Sequence, residues 1–88
     1  MGWNVDIDVV VLAKLCIDEN ESIVAADLER RSGFERRRFN PAMSKLLEFF
    51  DYNDISQEIQ PDYPAAYVWL SGATRARLRR LIRKAESE

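Results

Sequence analysis

The sequence predicts one α+β domain, in which a core of three helices is followed by a two-stranded β-hairpin and a C-terminal helix. Apolar residues recur at helical spacing in the first half and near the end of the chain, whereas residues 55–59 alternate as in a strand. Residues 66–70 are rich in strand formers and follow a turn with two prolines. Because 88 residues suffice for one modest core, we assign residues 1–88 to a single domain.

Two helices are predicted in the first third of the chain. An apolar stretch of helical length follows two aspartates that can cap a helix, so we place the first helix at residues 7–17. The alternation at residues 5–9 also fits a strand, and the sequence leaves that alternative open. A short strand at Ile23 and a second helix at about residues 24–31 follow.

Pro41 decides where the third helix is predicted to begin. Inside a helix, proline removes a hydrogen bond and clashes with the preceding turn, which costs about 3 kcal/mol. At the first helical position it costs little, and the preceding Asn40 is a favoured N-cap. We therefore predict a helix at residues 41–51, with the connecting turn at residues 34–39.

The last helix is predicted at residues 73–85, with Ser71 as its N-cap. One face of this helix is apolar, and arginines occupy most of the remainder. Solvation of that basic face is the simplest interpretation. The apolar face suggests homodimer contacts through Leu78, Leu81 and Ile82.

Aromatic residues on the second predicted strand form a separate feature. Tyr67 and Trp69 point to the face opposite Val68, so both faces of the strand are apolar. We expect this surplus apolar face to pack inside the domain, against a second subunit or against a partner protein.

Composition excludes several classes of protein. The chain is 47% hydrophobic and 32% charged, which is typical of a globular protein, and its apolar runs are too short to cross a membrane. We expect a cytoplasmic protein without membrane contact. The single cysteine, Cys16, is predicted to be a reduced core residue, with a reactive thiol as the alternative.

The residues needed for catalysis or metal binding are scarce. The chain has no histidine, which removes the usual general base and the commonest zinc ligand. Three glycines form no phosphate-binding loop. We therefore predict that the protein is not an enzyme and has no catalytic site, no metal and no cofactor.

Residues 24–50 combine two short helices with a turn at Ser32-Gly33, which is the pattern of a helix-turn-helix. The second helix of such a unit enters the major groove of double-stranded DNA. In the alternative interpretation, the arginines pair with acids on the first two helices. The residues predicted to contact DNA are Arg36, Arg37, Arg38, Asn40, Ser44 and Lys45.

Over nearly its whole length, the chain resembles the winged helix-turn-helix superfamily, and in particular small MarR-like prokaryotic regulators. The resemblance implies sequence-specific DNA binding by a small transcriptional regulator, with the hairpin as the wing. We expect such a single module to bind as a homodimer. The matching residues are Ala25-Ala26-Asp27-Leu28 with Ser32-Gly33-Phe34, and Leu70-Ser71 with Thr74-Arg75 and Leu78.

The chain departs from the superfamily pattern in two places. Asn40-Pro41 delays the third helix, and the predicted wing tip has Gln60, Asp62 and Tyr63 where basic residues are usual. An acidic wing is repelled by phosphates. The alternative function is therefore a protein-protein interaction module that uses this wing with Tyr67 and Trp69 and does not bind DNA.

Overall fold

The fold belongs to the α+β class. The computed structural model describes residues 5–18, 22–57 and 61–87, and of Val5 only the backbone. Within these ranges it has four α-helices and a two-stranded antiparallel sheet, and none of the helices is long and apolar enough to cross a membrane. The elements are α1 (Val5–Ile17), β1 (Ser22–Val24), α2 (Ala25–Ser32), α3 (Arg36–Leu46), β2 (Tyr67–Trp69) and α4 (Gly72–Glu86).

The core lies where α1 packs against both α3 and α4. Valine and isoleucine are weak helix formers, so α1 depends on this packing rather than on intrinsic propensity. Cys16 is fully buried there, as the core interpretation predicted. The buried apolar residues are Val9, Leu12, Ala13, Cys16, Ile23, Ala25, Leu28, Phe39, Ala42, Met43, Leu46, Phe50, Ala65, Val68, Leu70, Leu78 and Ile82.

Several predicted elements are confirmed to within two residues. The first segment is a helix and not a strand, and a short strand precedes α2 at Ile23. The Ser71 side chain accepts a hydrogen bond from the backbone N–H of Thr74 at 3.2 Å, which caps α4 as predicted.

The predicted start of the third helix is wrong. The helix begins at Arg36 and contains Pro41, so residues 36–39 belong to its first turn rather than to a connecting loop. Asn40 therefore lies inside the helix and does not cap it; the N-cap position is Glu35.

Burial and solvent exposure explain this early start. Beginning at Arg36 aligns Phe39 with Met43 and Leu46 on the buried face, and burial of one such side chain contributes about 1.5–3 kcal/mol. Pro41 withholds the hydrogen bond that the carbonyl of Arg37 would otherwise accept. Both Arg37 and Pro41 are exposed, so water can solvate that carbonyl. The proline costs less here than it would in a buried helix.

The predicted hairpin pairing is also replaced. β2 pairs antiparallel with β1, with Val68 opposite Ile23, and the segment after α3 adds only a single bridge from Ile55 to Val68. The rest of the predicted first hairpin strand, residues 58–59, lies outside the described residues, as does Gln60 of the predicted tip. The sheet thus joins the start of α2 to the start of α4.

Candidate nucleic-acid interface

The turn between α2 and α3 sets the direction in which α3 leaves α2. Gly33 ends α2 in the left-handed conformation, with φ of 75°, and its N–H donates to the carbonyls of Glu29 and Arg30. The backbone N–H of Phe39 donates to the carbonyl of Glu35 at 2.7 Å, which closes the first turn of α3. The three arginines therefore project from the first helical turn in three different directions.

Arg38 points inward to α1. Its Nη2 and Nε atoms donate to the two carboxylate oxygens of Asp8 at 2.8 and 3.0 Å, and Asp8 is only 1% exposed. The guanidinium also lies 4.1 Å from the centre of the Phe34 ring, within the range of a cation–π contact. The hydrogen bond to Asp8 raises the pKa of Arg38 above its ordinary value. Arg38 thus ties α3 to α1.

Arg36 points to the segment that precedes β2. Its Nη2 donates to the hydroxyl of Tyr63 at 3.2 Å, and its guanidinium lies 4.9 Å from the centre of that ring. Nε of Arg36 contacts Glu29 at 3.4 Å, and Nη1 lies 3.5 Å from a carboxylate oxygen of Asp62. The hydrogen bond to Glu29 is the main reason that the pKa of Arg36 is raised.

Tyr63 and Asn40 complete this contact between α3 and the segment before β2. The hydroxyl of Tyr63 donates to Oε1 of Glu29 at 2.7 Å, and this hydrogen bond raises the pKa of Tyr63. The amide Nδ2 of Asn40 donates to the backbone carbonyl of Asp62 at 2.7 Å. Arg36 and Asn40 therefore link α3 to other segments of the chain, although the Arg36 side chain remains 49% exposed.

Arg37 has the opposite environment to its two neighbours. Its side chain is 85% exposed, and its partner is the exposed carboxylate of Glu35 at 3.6 Å. Ion pairs between exposed side chains contribute at most about 1 kcal/mol, so a phosphate can replace such a partner. Arg37 is the basic residue of the triplet that is available to a ligand.

The outward stripe of α3 opposes its buried face. Arg37, Pro41 and Ser44 follow one another at spacings of four and three residues, and all three are exposed. Lys45 borders the stripe and contacts the exposed Asp6 at 3.1 Å. Of the six residues predicted to contact DNA, the structure brings Arg37, Ser44 and Lys45 to this surface and places Arg36, Arg38 and Asn40 in internal contacts.

Two further bases near this surface were not predicted from sequence as DNA contacts. Arg30 and Arg31 lie in the last turn of α2 and are exposed, and Arg30 pairs with Asp27 on the same helix. Because both residues lie beside the turn glycine, their place near this surface could have been predicted from the sequence. Residues 25–46 hold six bases and three acids, a net charge of +3 in a chain whose total is −2.

The residues predicted for dimer or partner contacts fall into two groups. Leu78 and Ile82 are buried in the core of their own chain, so neither is accessible without displacement of α4. Leu81 is half-buried at the edge of that core. Tyr67 is half-buried and Trp69 is 41% exposed on the outer face of β2.

Residues 5–18, 22–57 and 61–87 contain no cluster of three or more side chains suited to holding a metal ion. Comparison of the chain with models of known protein families, with curated proteins and with solved structures finds no match.

Proposed function

We propose that the protein is a winged-helix regulator that inserts α3 into the major groove of double-stranded DNA. One observation is central to this proposal: Arg36 and Arg38 are held by acids on either side of the helix, while Arg37 between them projects into solvent. A recognition helix needs both a fixed orientation and an unobstructed basic face. The first turn of α3 offers both.

The residues then divide into two roles. Arg37 contacts a phosphate or the O6 and N7 atoms of a guanine, while Ser44 and Lys45 lie further along the groove. Arg30 and Arg31 contact the phosphate backbone beside the turn. Arg36, Arg38 and Asn40 are positioning residues, which differs from the direct contact predicted for them from sequence.

The charge distribution favours a small number of phosphate contacts. The helix-turn-helix region has a net charge of +3, and the acids elsewhere oppose non-specific association with DNA. With three or four phosphate contacts, the logarithm of the affinity should fall with the logarithm of salt concentration at a slope of about −3 to −4. Such a protein gains its affinity for a particular site from base contacts and from binding as a homodimer to two half-sites.

The proposal is tested by fluorescence anisotropy with a labelled mixed-sequence duplex over about 50 to 200 mM salt. The variant Arg37→Gln removes the exposed charge, and Arg79→Gln removes the same charge from the exposed face of α4. Arg37→Gln should weaken binding and reduce the magnitude of the salt slope by about 0.9, whereas Arg79→Gln should leave both unchanged.

Two results would overturn the proposal. The first is the absence of binding at the lowest salt concentration, which would favour the protein-interaction alternative. The second is equal behaviour of Arg37→Gln and Arg79→Gln, which would mean that α3 is not the contact surface. Circular dichroism of both variants establishes that the fold is retained.

A further inference from the structure

Three aromatic side chains line one shallow cavity on the outer face of the sheet. The cavity has a volume of about 490 Å³ and is formed by Tyr52, Tyr67 and Trp69 together with polar residues of the segment after α3. Tyr52 is 74% exposed. The rings of Tyr67 and Trp69 meet edge to face, with centroids 4.9 Å apart and an interplanar angle of 84°. The remaining lining residues are Asn53, Ile55, Ser56 and Gln57.

Hydrogen bonds hold this cavity in shape. The hydroxyl of Tyr52 donates to Oε1 of Gln57 at 3.0 Å, and Nε2 of Gln57 donates to the backbone carbonyl of Ile55 at 2.9 Å. The N–H of Ser56 donates to the carbonyl of Tyr67 at 3.0 Å, which joins the two walls. A cavity whose rings are already placed binds a ligand with less loss of conformational entropy.

The electrostatic character of the cavity comes from its rings and from one neighbouring acid. Among the residues that the structure describes, no charged side chain lines the cavity. Asp54 lies in the same helical turn as Tyr52, and its carboxylate accepts a hydrogen bond from the neutral hydroxyl of Thr74. Aromatic faces are themselves regions of negative potential. The three rings and the neighbouring carboxylate of Asp54 therefore favour a cation.

We propose that this cavity binds an arginine or lysine side chain presented by an extended segment of a partner protein. The same chain already uses this combination of ring and carboxylate twice. Arg36 lies over the ring of Tyr63 beside Glu29, and Arg38 lies over the ring of Phe34 beside Asp8. In the cavity the rings and the neighbouring Asp54 are present, and the cation comes from outside.

Nucleic acid is a poorer occupant of this surface. Bases stack on exposed aromatic rings, but single-stranded nucleic acid also needs a basic groove to hold its backbone. None of the described residues that line the cavity is basic. The surface is formed by elements other than the exposed stripe of α3, so the partner and DNA do not compete for the same residues.

Nuclear magnetic resonance of the nitrogen-15-labelled protein tests the proposal. The probe is the blocked peptide acetyl-Gly-Ser-Arg-Ser-Gly-amide at millimolar concentration. The control peptide has citrulline at the central position, which keeps the shape of the arginine side chain but removes its charge. The arginine peptide should shift the indole N–H of Trp69 and the amide of Gln57 saturably, with an affinity at least about threefold above that of the citrulline peptide.

Variants assign the binding to the cavity. Tyr52→Ala and Trp69→Ala should each weaken binding by about threefold or more, and Tyr52→Ala changes the most exposed of the three rings. Arg37→Gln should bind the peptide as the unaltered protein does, so failure of DNA binding and failure of this proposal are distinguishable.

Three outcomes would overturn the inference. They are the absence of a saturable shift, equal affinity for the arginine and citrulline peptides, and tighter binding of oligothymidine than of the arginine peptide at the same resonances. The last result would identify the cavity as a base-stacking surface.

Discussion

The carboxylate of Asp8 on α1 and the guanidinium of Arg38 on α3 face each other through two hydrogen bonds of 2.8 and 3.0 Å, although 30 residues separate them in the chain. Asp8 is buried and Arg38 is partly exposed, so the pair spans the boundary between core and solvent. Its two parallel hydrogen bonds restrict rotation of α3 about its own axis. The outward direction of Arg37 is a consequence of this restriction.

Removing the cation of this pair should destabilise the protein. Arg38→Gln leaves the carboxylate of Asp8 buried without a charged partner, so we expect a lower midpoint of thermal unfolding. Arg37→Gln makes the same substitution at an exposed position, and it should leave the midpoint nearly unchanged. Differential scanning calorimetry of the two variants makes the comparison. Equal midpoints would mean that the Asp8–Arg38 pair does not hold α3.

Substitution of Pro41 should stabilise the protein. Pro41→Ala restores the N–H that the carbonyl of Arg37 lacks and removes the steric conflict, so the free energy of unfolding should rise by about 1–3 kcal/mol. Urea denaturation measures this change, with Ser44→Ala on the same exposed stripe as a control. A decrease in stability would show that the proline ring makes contacts worth more than the missing hydrogen bond.

Leucines three residues apart on α4 should differ strongly in their effect on stability. Leu78 is fully buried, so Leu78→Ala should lower the free energy of unfolding by about 2–5 kcal/mol. Leu81 is half-buried, and Leu81→Ala should cost clearly less. Denaturation at two protein concentrations also detects a dimer, whose stability depends on concentration. Similar losses for both variants would contradict the burial pattern, and a concentration-dependent loss for Leu81→Ala alone would place a subunit contact there.

The hydroxyl of Tyr63 should give the protein a dependence on alkaline pH. Its pKa is raised in the folded state above the ordinary value of 10.0, chiefly because it donates to Glu29. Below pH 10 both states are protonated and the contribution to stability is complete. As the pH rises further, the unfolded state loses the proton first and the contribution is lost. The stability difference between the unaltered protein and Tyr63→Phe should therefore be constant from neutral pH to about pH 9 and shrink above pH 10. A constant difference throughout, measured by urea denaturation, would contradict this assignment.

The helices were predictable where local rules and packing agree. α4 has an N-cap at Ser71 and an apolar face of ordinary helical spacing, and both are visible in the sequence. The start of α3 was not predictable from the rule for proline, because burial of Phe39 beside Met43 and Leu46 offsets the cost of Pro41 on an exposed face. The pairing of β2 with β1 was missed since its partner, Ile23, lies in the first third of the chain.

The residues of the candidate site could be predicted from the sequence, but the directions of their side chains could not. The arginine triplet and the turn glycine are plain in the sequence, and they indicate the part of the fold on which the proposal rests. Which arginine faces solvent depends on where Asp8, Glu29 and Tyr63 lie in space. Those three residues come from three different segments, so no local pattern contains the answer.

Val68 lies between Ile23 on one side and Ile55 on the other. During synthesis on the ribosome, the segments that contain Ile23 and Ile55 emerge before Val68, which pairs with both, has been made. Any nascent chain that ends before residue 66 therefore leaves Ile23 without its strand partner and the core without Leu78. We expect such fragments to be recognised by chaperones or proteases, and the domain to acquire its folded state in a single late step.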